Sequence, residues 1–411
     1  MSKRRATITA FEHQTLHVGN TYDGTLFSVT LWESLVRLHA SLPLPYFTLT
    51  HRGIKLSHYV GVLKTPYLTL DILPKADAVS PPVSGTWGSL LVDMLAECQY
   101  LSVHAQHQAQ SSSAAASLLD FFLLDFLAEV ETLCQRGLKK QYRTKIENAR
   151  SIKGRLLFTQ QVLRNVAHRE RSVVQYHARS LDYPMHQLLK SALQLIPNVS
   201  THHQAQLKSR QLLRYFADVA DAPLTALPAS FTYHRQTIAY RTAVEAARHI
   251  VSANYPHLYR GHTHQGFALM FDMNLLFEEF VYQRLRRLAH SEGFTLLRQT
   301  SRSLWGETKI RPDIVVKLPD QSSIVIDTKW KALAHPRPSA QDLHQLYVYA
   351  QLFDARRSIL LYPDVYQLPN QRRPFEGPHD SSAEVAFLRI ADDDGLRLNP
   401  HLNAALAKLI H

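Results

Sequence analysis

Three charged residues stand at the ends of two short apolar runs in the segment RPDIVVKLPDQSSIVIDTKWK. The runs cover residues 314–318 and 323–326, and the turn-forming residues between them predict a β-hairpin. Because strand side chains alternate between faces, Asp327 and Lys329 should project to the same side of the second strand. Asp313 directly precedes the first strand, so pairing of the two strands can bring it beside them.

Two carboxylates that converge on one point suit a hard, oxygen-ligated cation, Mg²⁺ or Mn²⁺, which keeps several waters and bridges to a substrate phosphate. A lysine beside that cation can orient the attacking water and offset the charge that develops on phosphorus. The three residues therefore predict metal-dependent phosphodiester hydrolysis. A surface hairpin with a salt bridge is the structural alternative. The apolar strands favour the site, because charges at the ends of buried strands are costly.

A glutamate in the segment FDMNLLFEEFVYQRL is the candidate third acid. On helical spacing Glu278 shares a face with the apolar residues Phe271, Leu275 and Val281. We therefore expect Glu278 to point inward to the site and keep Glu279 as the second choice. In the alternative, both glutamates are solvated and the apolar face is only core.

A second helix is predicted in SAQDLHQLYVYAQLF, where Ser339 and Asp342 form a start that resembles a capping box. Gln345 and Tyr349 are four residues apart and so lie on one face of this helix. They can hold a DNA strand or orient the catalytic lysine. Without the preceding motif, an ordinary amphipathic helix explains them equally well.

The elements that must position these residues belong to an α+β multidomain protein, since 411 residues suffice for two or three domains. We predict a β-rich N-terminal domain over residues 1–112 and a mainly helical, basic middle region over residues 113–255.

 The N-terminal domain is assigned to docking of a partner protein. Residues 256–411 are predicted to form an α/β domain with a central mixed sheet flanked by helices.

The chain is strongly basic, with a formal net charge of +12, so its surface field favours polyanions such as nucleic acid. The most basic segment, RGLKKQYRTKIENARSIKGR, can follow a phosphate backbone. A solvated face of a helix is the alternative explanation. The candidates for contact with the DNA backbone are Lys139, Lys140, Arg143, Lys145, Lys153 and Arg155.

Several other classes of protein are disfavoured. Two cysteines, Cys98 and Cys134, cannot build a disulfide framework, and their placement in or beside apolar helical runs is typical of inert thiols. The histidine pairs at 202–203 and at 262 and 264 lack the spacing of a zinc hydrolase helix. No apolar run reaches the length of a membrane span or a signal peptide, so we expect a cytoplasmic protein that makes no contact with a membrane.

The ordered set of these residues resembles the PD-(D/E)xK nucleases with the Gln-x-x-x-Tyr addition of the RecB-like branch. Together with the N-terminal strands YVGVLKTPYLTLDILPKAD, it resembles McrC, the nuclease subunit of McrBC-type restriction systems of prokaryotes. The resemblance implies that Asp313, Asp327 and the carbonyl of Thr328 ligate Mg²⁺. It further implies that Lys329 serves the attacking water and that Glu278 completes the acidic cluster.

The resemblance also implies a partner. McrC works with McrB, a hexameric AAA+ GTPase that recognises modified cytosine in double-stranded DNA, and McrC stimulates its GTP hydrolysis. Consistent with this, the chain has no G-x-x-x-x-G-K-[ST] loop and so no nucleotide site of this type. Two alternatives stay open: a stand-alone RecB-like repair or phage nuclease, and a non-catalytic adaptor that binds DNA or activates the ring and keeps a vestigial nuclease site.

Overall fold

The computed structural model describes most of the chain, namely residues 5–74, 84–101, 118–168, 170–259, 262–331, 333, 335–376, 381–392 and 397–411. The side chains of residues 84–89, 224 and 255–265 are outside this description. The predicted boundary after residue 112 also lies outside the described residues.

Ten α-helices occur in the described part of the chain. They are α1 (Val29–His39), α2 (Ser84–Glu97), α3 (Leu118–Gln135), α4 (Phe158–Arg164), α5 (Pro184–Val199), α6 (His203–Leu213), α7 (Arg241–Ser252), α8 (Met273–Glu292), α9 (Ala340–Phe353) and α10 (Leu402–Ile410). None of these helices is long and apolar enough to cross a membrane.

The described strands form several separate sheets. They are β1 (Ala6–Phe11), β2 (Thr15–His17), β3 (Thr21–Tyr22), β4 (Thr25–Leu26), β5 (Phe47–Thr50), β6 (Gly53–Leu56), β7 (Tyr59–Lys64), β8 (Leu68–Leu73), β9 (Gln141–Ala149), β10 (Arg155–Leu156), β11 (Ser172–Ser180), β12 (Asn254–Tyr259), β13 (His262–Asp272), β14 (Thr295–Arg298), β15 (Arg302–Trp305), β16 (Thr308–Ile310), β17 (Ile314–Lys317), β18 (Ser323–Thr328), β19 (Ala355–Pro363), β20 (Gln371–Pro374) and β21 (Ser382–Leu388).

The chain divides into two compact units, and the division differs from the predicted one. Unit 1 combines residues 1–122 with residues 253–411, and unit 2 comprises residues 123–252. The predicted N-terminal and C-terminal domains therefore share one unit, into which unit 2 is inserted along the chain. Sequence patterns describe each strand by itself, whereas this arrangement depends on pairing between strands that are distant in sequence.

A five-stranded sheet with the order β1-β8-β7-β13-β12 joins the two segments of unit 1, the one before unit 2 and the one after it. The antiparallel pair β7 and β13 places Gly61 opposite Met270. Gly61 has a φ of +136°, and a Cβ atom there would lie 2.0 Å from the carbonyl oxygen of Leu269. Only glycine fits this position, because any side chain would both strain the backbone and collide with the neighbouring strand.

The second large sheet of unit 1 is mixed, as predicted, with the strand order β14-β17-β18-β19-β21-β20. β17 and β18 form the predicted antiparallel hairpin, with Ile314 opposite Ile326, and β18 runs parallel to β19. Both strands are buried apolar runs, which is typical of strands covered on two faces. Helix α9 covers the sheet through Leu346, Tyr349 and Phe353, so one core holds the hairpin and the helix in a fixed relation.

Unit 2 contains helices α4 to α7 and the antiparallel sheet β10-β11-β9. The predicted helix at the start of the middle region is confirmed, and Gly137 follows it in the left-handed conformation, with a φ of +80°.

The basic segment of unit 2 differs from its prediction. It forms the nine-residue strand β9 rather than a helix, and this corrects both the mainly helical assignment of this stretch and the alternative of a solvated helix face. Most of β9 is exposed, so no apolar period marks it as a strand.

Candidate active site

The ends of the hairpin strands bring Asp313 and Thr328 together. Asp313 stands just before β17, and its Oδ2 accepts hydrogen bonds from the Thr328 amide at 2.7 Å and from Thr328 Oγ1 at 2.8 Å. The predicted pairing of the two strands is thus confirmed down to the side chains that flank them. These bonds hold the Asp313 carboxylate at the end of β18.

Asp327 and Lys329 lie on the same side of the chain, as their spacing predicts. Lys329 Nζ is 2.7 Å from Asp327 Oδ2, and the Asp327 side chain is only 3% exposed. Burial, followed by the nearby charge of Asp313, raises the pKa of Asp327 to about 6, although Lys329 opposes the shift. For Lys329, burial disfavours the charged form, but the charges of Asp327 and its acidic neighbours outweigh burial and raise the pKa.

Helix α9 supplies Gln345 and Tyr349, and Ser339 caps its N-terminus as predicted. Gln345 Nε2 donates to Asp327 Oδ1 at 3.3 Å and to the Tyr349 hydroxyl at 2.6 Å. The Tyr349 hydroxyl in turn donates to the Arg311 carbonyl at 3.2 Å. Gln345 therefore contacts the carboxylate of Asp327, and Tyr349, which is 3% exposed, is a buried residue that supports Gln345.

Helix α8 points Glu278 into the protein, as expected, and the side chain is 7% exposed. Burial, followed by the charge of Asp313, raises the pKa of Glu278. Glu279 instead accepts a hydrogen bond from Gln283 at 2.7 Å. Of the neighbours expected on the same apolar face, Val281 is buried, but Leu275 is 58% exposed.

Sequence reasoning missed two residues that contact these glutamates. Gln299 Nε2 donates to Glu278 Oε1 at 2.8 Å, and the Gln299 amide donates to the Asp313 carbonyl at 3.0 Å. Gln299 has a φ of +45°, a left-handed conformation that is unusual for a residue other than glycine. Arg298 lies 3.5 Å from Glu278 and also pairs with Glu279. The short polar sequence at the end of β14 carries no pattern that identifies either residue.

The donor chemistry of the site fits Mg²⁺. Asp313 and Asp327 offer hard carboxylate oxygens that repel each other, and a divalent cation would relieve that repulsion. No group of three or more His, Cys, Asp or Glu side chains placed to hold an ion occurs among the described residues. Two carboxylates are nevertheless sufficient for Mg²⁺, which usually keeps several waters and binds substrate phosphate through the remaining positions.

The remaining sequence candidates are the basic residues, the cysteines and the histidines. The six basic candidates for contact with the DNA backbone belong to unit 2, and all of them are exposed. Cys98 and Cys134 are buried, and burial raises the pKa of both thiols, for Cys134 to about 11. The side chains of His262 and His264 lie outside the described residues.

Comparison with solved structures shows which fold this is. A chain from the half-complex of a tetradecameric assembly of Thermococcus gammatolerans McrB AAA+ hexamers with bound McrC matches with a TM-score of 0.68 and 19% identity, covering 98% of this chain and 100% of that chain. A chain from the cryo-EM structure of the Thermococcus gammatolerans McrBC complex matches with a TM-score of 0.52 and 20% identity, covering 69% of this chain and 88% of that chain. No curated protein matches the chain.

A match to a family model identifies the class of protein as a component of a restriction system. The family model for the McrBC 5-methylcytosine restriction system component matches residues 54–363. The chain belongs to this family. The matched range contains β7, the whole of unit 2 and the segments in which Asp313 and Asp327 lie.

Proposed function

We propose that this chain is the DNA endonuclease subunit of an McrBC-type restriction system, with a PD-(D/E)xK nuclease fold in its C-terminal part. The observation that carries the proposal is the convergence of Asp313, Asp327 and Lys329 at the end of one buried hairpin. A buried ion pair between Asp327 and Lys329 would by itself add little to stability, because the desolvation of both charges offsets their attraction. A second carboxylate beside the pair is explained by a cation that binds there.

Asp313, Asp327 and the Thr328 carbonyl would hold Mg²⁺ or Mn²⁺. When bound, the ion polarises a phosphoryl oxygen and lowers the pKa of a water molecule. Lys329 Nζ, which Asp327 holds in place at 2.7 Å, orients the attacking water by hydrogen bonding and offsets negative charge on the phosphate. Gln345 and Tyr349 fix the orientation of Asp327, and Glu278 adds a third carboxylate beside Asp313.

The proposed partner is an McrB-like AAA+ GTPase ring, whose GTP hydrolysis this chain stimulates. Support comes from the family match and from the similar solved structures, whose descriptions name McrB hexamers with bound McrC. We propose double-stranded, methylated DNA as the substrate and the prokaryotic cytoplasm as the location. We also propose that the exposed basic segment of unit 2 contacts the DNA backbone, because six exposed cations on β9, on β10 and in the chain beside them favour a polyanion.

The test is a plasmid-cleavage assay with the full chain and its AAA+ partner, with and without GTP, Mg²⁺ and methylation. We expect cleavage that requires Mg²⁺ or Mn²⁺ and GTP and stops on addition of EDTA. Cleavage by the chain alone without nucleotide would favour the stand-alone nuclease instead. Normal GTPase stimulation with uncut DNA under every metal tried would favour the adaptor.

A further inference from the structure

An exposed tryptophan stands out on the surface of unit 1. Trp305 is 86% exposed, the largest exposed fraction of any large hydrophobic side chain in the described part of the chain, and Leu304 beside it is 48% exposed. Leaving a tryptophan in water forgoes the free energy that its burial would release. A ligand that covers Trp305 and Leu304 would recover that free energy.

The segment that carries Trp305 has a defined shape. β15 and β16 form a two-stranded hairpin, residues 302–310, in which Arg302 lies opposite Ile310. The guanidinium of Arg302 donates to the Leu352 carbonyl and lies 4.9 Å from the centre of the Phe353 ring, which ties the hairpin to helix α9. Ser303 Oγ donates to the Gly306 carbonyl at 2.9 Å and closes the turn. The exposed side chain of Trp305 is therefore held on a hairpin whose position is fixed by its contacts with helix α9.

Both ends of the 302–310 hairpin lead directly into the candidate site. The chain enters from Gln299, which contacts Glu278, and leaves through Arg311, whose carbonyl accepts the Tyr349 hydroxyl bond, to reach Asp313. A nucleic acid whose phosphate reaches Asp313 therefore passes close to the base of this hairpin.

The charge of the hairpin and its flanks fits the same ligand. Arg302, Lys309 and Arg311 are exposed, and Glu307 is the one acidic residue from 302 to 311. Cations can pair with phosphates, while an aromatic ring can stack on a base or pack against a sugar. A second copy of this chain would gain less from three exposed cations, because every copy carries the same net positive charge.

We infer that the 302–310 hairpin is a DNA-contacting element beside the scissile phosphate, with Trp305 packed against bases or sugars and Lys309 and Arg311 against the backbone. The inference rests on the proposed function and adds to it residues that bind the DNA substrate. It assigns the exposed Trp305 to binding, not to the chemical step.

The experiment measures binding of the full chain to a fluorescent DNA duplex in EDTA, so that no cleavage occurs. We expect Trp305→Ala to weaken affinity by about tenfold and Trp305→Phe to restore most of it, because phenylalanine retains an aromatic face. Tyr215→Ala is the matched control, since Tyr215 is an aromatic residue of unit 2 that is 54% exposed, and it should bind as the wild type does. Melting temperatures identify any variant that has lost its fold.

A second readout uses tryptophan fluorescence. DNA should protect the wild-type chain from acrylamide quenching, and this protection should be largely lost in Trp305→Phe. Wild-type affinity in Trp305→Ala would overturn the inference while leaving the proposed nuclease intact. A change in oligomeric state by light scattering with unchanged DNA affinity would assign the hairpin to contact between copies and also overturn it. Failure of the wild-type chain to cut DNA in the presence of its AAA+ partner, GTP and Mg²⁺ would overturn the proposed function and this inference with it.

Discussion

Two pairs of charged residues in this protein share the same sequence spacing and differ in how deeply they are buried. Lys145 and Glu147 on β9 are two residues apart on a strand, as are Asp327 and Lys329 at the end of β18. Their ion-pair distances are similar, 3.3 Å and 2.7 Å. The carboxylate of Glu147, however, is 40% exposed, and that of Asp327 is 3% exposed.

The pKa values of the two carboxylates move in opposite directions. The hydrogen bond from Tyr176, followed by that from Lys145, lowers the pKa of Glu147, whereas burial raises the pKa of Asp327. Water screens the pair on β9, so it contributes little to stability. At the end of β18 the burial of Asp327 and the charge of the second carboxylate, Asp313, make a proton or a cation favourable. The comparison teaches that burial, rather than spacing, distinguishes a candidate site from a surface ion pair.

The largest effect should come from changing the buried pair. Asp327→Asn and Lys329→Ala should each reduce the rate of DNA cleavage by about a thousandfold or more, because they remove a metal ligand or the group that orients water. The fold should survive, and complex assembly with the AAA+ partner should be unchanged. A plasmid-cleavage time course and analytical gel filtration of the complex measure both.

The exposed pair provides the matched control. Glu147→Gln removes a carboxylate that has the same sequence relation to a lysine, and it should leave the rate of cleavage unchanged. Equal losses in Glu147→Gln and Asp327→Asn, or full cleavage in both buried-pair variants, would break the comparison and the site assignment.

A buried titratable group outside the site tests whether burial alone moves a pKa. His186 in unit 2 is fully buried, and its Nδ1 donates to the Leu181 carbonyl at 2.7 Å. Burial lowers its pKa from 6.5 to about 4. Below pH 6.5 the unfolded chain therefore binds a proton that the folded chain does not, so stability falls as pH decreases.

We expect the free energy of unfolding of unit 2 to fall by about 2 kcal/mol between pH 7 and pH 5 from this histidine alone. Urea denaturation at the two pH values measures it. His186→Phe should remove this part of the pH dependence, whereas His203→Gln, a change at an exposed histidine, should retain it. An identical slope in His186→Phe and the wild type would show that burial does not set this pKa.

A smaller effect is expected from the hydrogen bond that Gln299 donates to Glu278. Gln299→Ala should lower the rate of cleavage by about tenfold and raise the Mg²⁺ concentration needed for half-maximal rate, because a bond to a charged group is lost. Gln283→Ala removes a bond of the same chemical type, from a glutamine to Glu279, and should have little effect. Isothermal titration with Mn²⁺ provides a readout independent of cleavage. Equal effects of the two substitutions would contradict the choice of Glu278 over Glu279.

The smallest effect should come from the exposed pair itself. Lys145→Ala should weaken DNA binding only a few-fold and reduce the slope of log affinity against log salt by about one. Lys208→Ala removes another exposed cation of unit 2, which pairs with Glu131 at 2.6 Å, and serves as the control. Salt titrations of binding to a DNA duplex measure both. Equal slopes for Lys145→Ala, Lys208→Ala and the wild type would remove β9 from the DNA interface.

The sequence predicted the elements whose burial leaves a pattern. The hairpin of β17 and β18, the inward position of Glu278 and the cap at Ser339 are confirmed, because apolar periods and cap residues mark them directly. β9 was missed because its exposed residues carry no period. Gln299 was missed because its role depends on a left-handed backbone and on two distant carboxylate residues, neither of which a local pattern contains.

The pairing of β7 with β13 sets the order in which the protein can fold during synthesis. Gly61 and Met270 face each other across that pair, 270 − 61 = 209 residues apart. At roughly 5 to 20 residues per second, β7 leaves the ribosome roughly 10 to 40 s before its partner strand exists. Unit 2 is translated entirely within that interval and can fold in it. β7 is synthesised first, and the edge that pairs with β13 stays unpaired until β13 emerges. During that time the nascent chain carries an aggregation-prone strand.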